Sequence, residues 1–343
     1  MANILHLVIP GLLGPFPGSV DLPRPHADAF ERLLTRAEAR PSGVAGLDAT
    51  LFKLFQLPVN EAQELPVASV THLADAGITD QGWWVRADPV HLYPDLHQVL
   101  LFDARSLAIS TATAQSLVAE FNKVFSADGL LLEAPHPQRW YLRFAEDPGL
   151  RTEPLLAAIG QDINSLLPRG QAARRWHGLL TEMQMLLHNS RANVAREAEG
   201  QVPINGIWIW GGGRLPQDAR SPSDEVYATD PLTRGLSRLA GVTVSSVPNN
   251  INDWYNAAEN KGKGLVVLET TLFDGPDKDS QAWYEHVNAL EQHWFAPGMA
   301  LLKSKALQTL YLYPCNGWIY IFTASKLRRF WRRTQPLLQY LSS

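Results

Sequence analysis

The strongest constraint on the fold is the alternation of short apolar runs and amphipathic stretches in the second half of the chain. Such a β-α-β-α-β-α series is typical of a parallel sheet whose two faces are covered by helices. The sequence therefore predicts an α/β fold with a mostly parallel sheet. The predicted strands are residues 204–210, 242–245 and 264–268, and the predicted helices are residues 232–239, 253–260 and 279–295.

The first half of the chain is less regular. An apolar run at residues 4–9 predicts a buried strand, and a helix is expected over residues 27–39. Strand and helix patterns between residues 83 and 144 resemble a small α+β unit, with a helix over residues 111–125 and a strand over residues 139–144 among its elements. A long helix is expected over residues 174–198. We therefore expect a core domain of residues 1–78 and 200–343, with an inserted α+β cap of residues 79–199.

Composition excludes several functional classes. The chain has 343 residues, a formal net charge of -4 and one cysteine, Cys315. The charge gives no overall attraction to nucleic acid or anionic membranes, and one cysteine allows no intrachain disulfide or cysteine-based zinc site. The short apolar run before Pro10 resembles neither a signal peptide nor a membrane span. These features predict a protein of the reducing cytoplasm.

A strand that runs into three glycines and an arginine is the most specific local feature. Gly211, Gly212 and Gly213 would expose backbone N–H groups, and Arg214 could bind a phosphate or carboxylate through two hydrogen bonds. The alternative is a tight glycine turn at the end of a strand. The segment has neither the lysine nor the following helix of a P-loop. A small phosphorylated or carboxylate ligand is one expectation.

Three segments carry a resemblance to a known family. They are LLTEMQMLLHNSRANVAREAEGQVPINGIWIWGGGRLP, EVYATDPLTRGLSRLAGV and GLVVLETTLFDGPDKDSQAWYEHVNALEQ, and the resemblance spans most of residues 83–295. Through them the chain resembles the archaeal-type cofactor-independent phosphoglycerate mutases of the alkaline phosphatase superfamily, whose α/β core contains an inserted cap. The segments WWVRADPVHL and FWRR further resemble the proteobacterial RpfE-type regulatory proteins.

The resemblance implies a metal centre whose ligands this sequence lacks. Enzymes of the superfamily use a Ser or Thr nucleophile beside two divalent metals held by Asp and His. Here the first strand ends in Pro10-Gly11, and Tyr313 to Gly317 stand where an Asp-His pair is implied. No nucleophile segment is evident between residues 11 and 67. Since these groups act as a unit, their loss predicts no catalysis and no metal cofactor.

Acidic residues after the predicted strand 264–268 are the weak candidates for metal ligands. The resemblance implies two histidines and an aspartate here: Glu269 stands where the first histidine would be, Asp277 lies near the position of the second, and only Asp274 matches the family's aspartate, with a shift of one residue. Oxygen ligands of this kind suit divalent cations, but other ligands are lacking. The alternative is a turn followed by a helix N-cap at Asp279.

Four residues of the expected cap lie in segments that resemble the substrate-holding part of the mutases. Arginines suit a ligand with a phosphate and a carboxylate. The alternative is that each side chain covers apolar surface or completes local packing. The four residues are Arg86, Arg139, Asn193 and Arg196.

The C-terminal segment KLRRFWRR contains five cations around Phe330 and Trp331. Such a segment could contact nucleic acid through Arg328, Arg329, Arg332 and Arg333, although the net charge argues against it. We expect instead a helix that docks its aromatic face and projects its arginines into solvent.

The sequence thus predicts a non-catalytic regulatory or ligand-sensing protein on a phosphoglycerate-mutase-like scaffold, with a protein partner as one expectation. The alternative is an active phosphoglycerate mutase or phosphohydrolase with relocated ligands. That enzyme would use Asp21, Asp274, Asp277 and a histidine with a divalent metal such as Mn or Zn.

Overall fold

The computed structural model describes residues 3–14, 25–60, 63–96, 98–257, 262–269 and 280–341. The chain divides into two compact units, residues 1–59 with 218–343 and residues 60–217. The expected cap, residues 79–199, lies within the second unit. No helix of the described residues is long and apolar enough to cross a membrane.

The first unit is built on a seven-stranded sheet with the order β11-β10-β12-β1-β13-β14-β2. The first five strands in this order run parallel, β14 pairs antiparallel with β13, and β2 pairs antiparallel with β14 at the edge of the sheet. The expected mostly parallel α/β fold is therefore confirmed. The strands of this unit are β1 Ile4–Val8, β2 Glu38–Pro41, β10 Glu225–Tyr227, β11 Val244–Ser245, β12 Lys263–Val267, β13 Thr309–Tyr313 and β14 Trp318–Thr323.

Helices of the first unit pack on this sheet through one large apolar core. Leu5 and Leu7 of β1 and Leu310 and Leu312 of β13 are fully buried in it. The helices are α1 Asp28–Arg36, α2 Leu47–Leu54, α8 Pro231–Leu239, α9 Ile251–Ala257, α10 Ser280–Leu290, α11 Ala296–Lys303 and α12 Ala324–Leu327. The helix expected over residues 27–39 is shorter than predicted, because Glu38–Pro41 pairs with β14 as an edge strand.

The second unit contains a five-stranded sheet in which β3 pairs with β4, β6 and β9, and β6 pairs with β5, all antiparallel. Its strands are β3 Trp83–Asp95, β4 Gln98–Asp103, β5 Leu131–His136, β6 Arg139–Phe144, β7 Leu150–Arg151, β8 Arg169–Gly170 and β9 Gly206–Gly213. Its helices are α3 Val67–Ala76, α4 Thr111–Phe125, α5 Leu155–Ala158, α6 Ala173–His188 and α7 Arg191–Ala198.

The strand expected at residues 204–210 does not join the parallel sheet. As β9 it pairs with β3 from Trp84 to Val90. Val85 and Ile209 pack with α6 residues, whereas the neighbouring Trp84 packs with Ala68 of α3. A strand buried on both faces reads as a continuous apolar run whether its sheet is parallel or antiparallel, so the sequence pattern did not distinguish the two.

The long helix expected over residues 174–198 is two helices, because Ser190 interrupts it. Ser190 has extended backbone angles and accepts a hydrogen bond from the Ala192 N–H at 3.1 Å, as an N-cap of α7. The helix expected in the C-terminal segment KLRRFWRR ends at Leu327, near the start of that segment.

Candidate functional site

The glycines at the end of β9 allow close packing against the start of α3. A Cβ atom added to Gly213 would lie 2.5 Å from Cβ of Pro66, and one added to Gly211 would lie 3.1 Å from Cβ of Val67. Gly211 also has a positive φ of 65°. The tight backbone approach is the structural reason for glycine at both positions.

An internal carboxylate lies against this glycine segment. Glu64 accepts a hydrogen bond from the Gly212 N–H at 3.1 Å, and it accepts two more from the backbone N–H and the hydroxyl of Thr152, the latter at 2.9 Å. Burial raises the pKa of Glu64, and the hydrogen bonds from Thr152 and Gly212 oppose that rise. The anion niche predicted from the glycines thus holds a carboxylate of the chain itself.

A cavity of about 570 Å³ surrounds Glu64 and the end of β9. Arg151 and Arg214 contribute cations to its lining, beside the backbone of Gly212 and Gly213. Arg214 donates hydrogen bonds to the carbonyl oxygens of Gln81 and Ala145 and forms an ion pair with Glu146 at 3.1 Å. Its side chain is 41% exposed, so a ligand in the cavity could reach it.

Arg86 lies in a buried ion pair rather than on a surface. Its guanidinium contacts the Asp88 carboxylate at 2.6 Å, and Asp88 also accepts a hydrogen bond from the Trp210 indole N–H at 2.8 Å. The guanidinium carbon lies 5.3 Å from the ring centres of Tyr141 and Trp210. Burial raises the pKa of Asp88, and Arg86 and Trp210 oppose that rise.

Arg139 joins the same network through a second carboxylate. It donates two hydrogen bonds of 2.7 Å to Asp75, which also accepts one from the Tyr141 hydroxyl at 2.6 Å. The structure therefore brings Arg86 and Arg139 together around Tyr141.

Asn193 and Arg196 lie on α7 and hold backbone segments in place. The Asn193 amide bonds the carbonyl oxygens of Leu187 and Ile204 and accepts from the Ile204 N–H. Arg196 donates to the carbonyl oxygens of Leu107 and Val202. Both side chains bond the backbone of neighbouring segments of the second unit.

In the first unit, the carboxyl ends of β1 and β13 are joined by backbone hydrogen bonds. The Gly11 N–H donates to the Pro314 carbonyl at 3.2 Å, and the Gly46 N–H donates to the Cys315 carbonyl at 2.8 Å. Leu12 and Leu13, which follow β1, are buried in the core. Burial raises the pKa of the Cys315 thiol to about 12, so the sulfur is a poor metal ligand at neutral pH.

Two acids lie at the carboxyl ends of β10 and β12. Asp230 is buried and caps α8 by accepting from the Thr233 N–H at 2.7 Å, and Glu269 accepts from the Thr229 hydroxyl at 3.1 Å. Within the described residues, no group of three His, Cys, Asp or Glu side chains could hold a metal ion. The described His, Cys, Asp and Glu side chains therefore do not fit the pair of metal ions that the resemblance implies. Asp21, Asp274, Asp277 and Asp279 lie outside the described residues.

The expectation for the C-terminal segment is wrong, because two of the arginines dock and the aromatic rings are exposed. Arg329 and Arg332 donate to carbonyl oxygens of residues 35–37 at the C-terminal end of α1, and Lys326 pairs with Glu38. The last carbonyls of a helix lack intrahelical partners and attract cations. Phe330 and Trp331 are 80% and 69% exposed.

Sequence reasoning missed Glu64, Thr152, Asp75 and Asp88. The segment Arg86-Ala87-Asp88 did carry a signal, because residues two apart in a strand lie on the same face. Glu64 and Thr152 are 88 residues apart, and no local spacing relates them.

Comparison with known proteins gives sequence relatives of one kind. A Geobacter sulfurreducens protein named "Probable 2,3-bisphosphoglycerate-independent phosphoglycerate mutase" is 26% identical over 256 residues, which are 71% of this chain and 63% of that protein. The phosphoglycerate mutase of the same type from Methanosarcina acetivorans is 29% identical over 130 residues, 36% of this chain and 32% of its own length. The aligned part is thus less than two thirds of either relative. No protein-family model matches the chain.

A solved structure supports the fold. A Pyrococcus horikoshii protein superposes with a TM-score of 0.59 at 13% identity, over 94% of this chain and 87% of its own. At that identity the likeness concerns the fold alone. The chain is therefore similar in sequence to 2,3-bisphosphoglycerate-independent phosphoglycerate mutases and is built on the mostly parallel α/β scaffold of its structural neighbours.

Proposed function

We propose that this chain is a non-catalytic regulatory protein that senses a small phosphorylated or carboxylate ligand on a phosphoglycerate-mutase-like scaffold. The observation that carries the proposal is the joining of β1 and β13 at their carboxyl ends by the Gly11–Pro314 hydrogen bond. A metal-dependent phosphomutase needs carboxylates and imidazoles at such strand ends. Residues 10–13, which follow β1, are proline, glycine and two buried leucines instead, and no group of three acids, histidines or cysteines among the described residues could hold a metal ion.

The regulatory part of the proposal rests on the resemblance to RpfE-type proteins. A regulator needs a signal and a target, and the structure offers a candidate surface for each. We assign the protein to the cytoplasm as part of this proposal, because its single cysteine suits a reducing compartment.

The cavity around Glu64 is the candidate ligand site. Its hydrogen-bond donors already bind a carboxylate, which supports a carboxylate or phosphate group as the recognised chemistry. Arg151 and Arg214 add positive charge at the same cavity. A ligand anion would displace Glu64 from the Gly212 N–H, and loss of that contact would be the signal.

The exposed pair Phe330 and Trp331 is the candidate partner surface. Arg328 and Arg333 flank the pair, and both are exposed. Aromatic rings and arginines are the residues that contribute most at protein interfaces. The charge of this surface suits a partner protein with an apolar pocket and an acidic rim.

Catalysis is tested by calorimetric titration of the chelator-stripped protein with Mn, Zn and Mg, followed by a 3-phosphoglycerate mutase assay in each metal. We expect no turnover in any metal. Turnover that depends on Mn or Zn would overturn the proposal and favour an enzyme whose ligands include Asp274 and Asp277. In that case Asp274→Ala should abolish the activity.

Ligand sensing is tested with 3-phosphoglycerate and the variant Glu64→Gln. The glutamine side chain would keep a hydrogen-bond acceptor but lose the competing charge, so we expect binding at least tenfold tighter than in the unmodified chain. Glu146→Gln is the matched control, because Glu146 contacts Arg214 at the exposed rim and makes no contact with Gly212. No binding to any of the three proteins would contradict the ligand site.

The partner surface is tested by a photo-crosslinker placed at position 331, with position 185 as control. Met185 is 62% exposed in the second unit. We expect an acidic protein to be trapped only from position 331. A crosslinked product with twice the mass of the chain would instead identify self-association.

A further inference from the structure

The second unit contains another cavity, of about 520 Å³, that the proposed function does not use. It lies between one face of α6 and the segments around Leu92, Val99 and Ile207, with Ile163 and Leu167 contributing from the loop after α5. Small-molecule sites commonly have volumes of about 300–1,000 Å³. The cavity has the size of such a site.

One wall of the cavity is apolar and rigid. Ile207, Trp208 and Ile209 of β9 are buried, and each lines the cavity. The Trp208 indole N–H donates to the Glu153 carbonyl at 2.9 Å. This hydrogen bond fixes the side chain and occupies its single donor. Asn205, which also lines the cavity, bonds the N–H and the carbonyl of Leu92. This wall can therefore offer contact area but few hydrogen bonds.

The opposite wall is a row of polar side chains on α6. The row consists of His177, Thr181, Gln184 and His188, at the spacing that places residues on one helix face. The His177 ring bonds the Pro168 carbonyl at 2.9 Å, and the Thr181 hydroxyl bonds the His177 carbonyl. Among the described residues, neither the Gln184 amide nor the His188 ring has a hydrogen-bond partner.

The four polar side chains of this row do not pack in the apolar core of the unit. Trp176, Met183 and Leu187 of the same helix are buried in that core. The four side chains are exposed instead, so the cavity is open to solvent along this row. A ligand could therefore enter from the side of α6 and place its polar end among these residues.

We propose that this cavity binds an elongated amphipathic small molecule of the medium-chain carboxylate class. Its apolar part would lie along Ile207 and Trp208, and its carboxylate would accept hydrogen bonds from Gln184 and His188. The row from His177 to His188 covers 11 residue steps, or about 16 Å of helix. An elongated molecule matches this shape better than a compact one. The site is separate from the Glu64 cavity.

The proposal is tested by titrating the full chain with decanoate and with decanol, followed by calorimetry. Both molecules share the apolar chain, and only decanoate has the anionic end. We expect both to bind, with decanoate at least tenfold tighter. In His188→Ala with Gln184→Ala, both hydrogen-bond donors are removed without filling the cavity, so the preference for decanoate should vanish while decanol binding persists. Glu182→Ala, an exposed position on α6 outside the cavity, is the matched control and should change neither affinity.

Two variants test whether decanoate and decanol bind in this cavity. Leu180→Trp and Thr181→Phe both place a ring in the cavity, and Thr181 is exposed, so its replacement should not disturb the core. Each should abolish binding of both probes while leaving 3-phosphoglycerate binding unchanged. Failure of both probes to bind the unmodified chain would overturn the proposal, as would unchanged binding in a folded Thr181→Phe protein. Neither result would bear on the Glu64 cavity.

Discussion

The two units bury acidic side chains in opposite ways. In the second unit, the fully buried Asp88 contacts a guanidinium and an indole N–H. In the first unit, the buried Asp230 accepts a backbone N–H, and the charged group that acts on it is the acid Glu269. The first carboxylate has an opposite charge beside it, whereas the second is buried with no ion pair among the described residues, and Glu269 adds a weaker effect of like charge.

The difference distinguishes buried charged side chains that stabilise the fold from those that are candidates for a functional role. A paired network such as Arg86–Asp88 has its charges satisfied within the unit, so its arginines are not available to a ligand without loss of stability. An acid buried without an opposite charge destabilises the folded chain when it is ionised, and such positions are more common at functional sites. Asp230 lies at a strand end, where ligands bind in open α/β sheets.

The largest effect is expected from Asp88→Ala. This change leaves the buried Arg86 without its counter-charge, so we expect the free energy of unfolding to fall by about 3–5 kcal/mol. Urea denaturation measures the loss. The double change Arg86→Met with Asp88→Leu removes both charges and should recover most of it. A single-variant loss below about 1 kcal/mol would contradict the view that this pair is structural.

The second-largest effect is a gain in the free energy of unfolding, which we expect from Asp230→Asn. Burial raises the pKa of Asp230 to about 6, so the folded chain holds a proton that the unfolded chain releases from about pH 4 upward. The contribution of Asp230 to stability should therefore fall as pH rises from about 4 to 6 and then stay level. Asparagine keeps the N-cap without the charge. We expect it to raise stability above pH 7 by about 3 kcal/mol relative to the unmodified chain, with the difference between the two proteins shrinking toward pH 4, as measured by urea denaturation across pH.

A smaller loss is expected from Arg139→Ala. Burial raises the pKa of Asp75, but hydrogen bonds from Arg139 and Tyr141 outweigh this and hold the pKa below its ordinary value. After removal of Arg139, the Asp75 carboxylate keeps the hydrogen bond from the Tyr141 hydroxyl but loses the two from the guanidinium. We expect a loss of about 1.5–3 kcal/mol at pH 7. The loss should shrink as the pH falls through the pKa of Asp75, and a loss that is constant with pH would show that packing alone is involved.

The smallest effect is expected from Arg143→Ala, which is the matched comparison on the same strand. Arg143 contacts Asp80 at 2.6 Å, but the two side chains are 41% and 25% exposed. Solvent screens such a pair, so the loss should be about 0.2–1 kcal/mol. Losses of equal size for Arg139→Ala and Arg143→Ala would show that burial does not separate the two pairs.

Much of the fold could be predicted from local pattern, and most of the candidate site could not. The strand at β6 and the helix at α4 have the predicted bounds, because their periodicity is expressed within single elements. The placement of β9 was wrong, because an apolar strand fits either sheet. The arrangement of the C-terminal arginines was also wrong, since it depends on the carbonyl oxygens at the end of α1, almost 300 residues earlier.

The sequence by itself determined the α/β class and the glycines at the end of β9. It also determined the absence of the implied Asp after β1, because Pro10 and Gly11 are properties of the chain at that point. Only the tertiary structure decided that Glu64 lies against Gly212, that Arg86 faces Asp88 and that Phe330 and Trp331 are exposed. The reason is physical: backbone preference and periodicity act over a few residues, whereas the partner of a charge or a free N–H is whichever group the packed chain brings within about 3 Å.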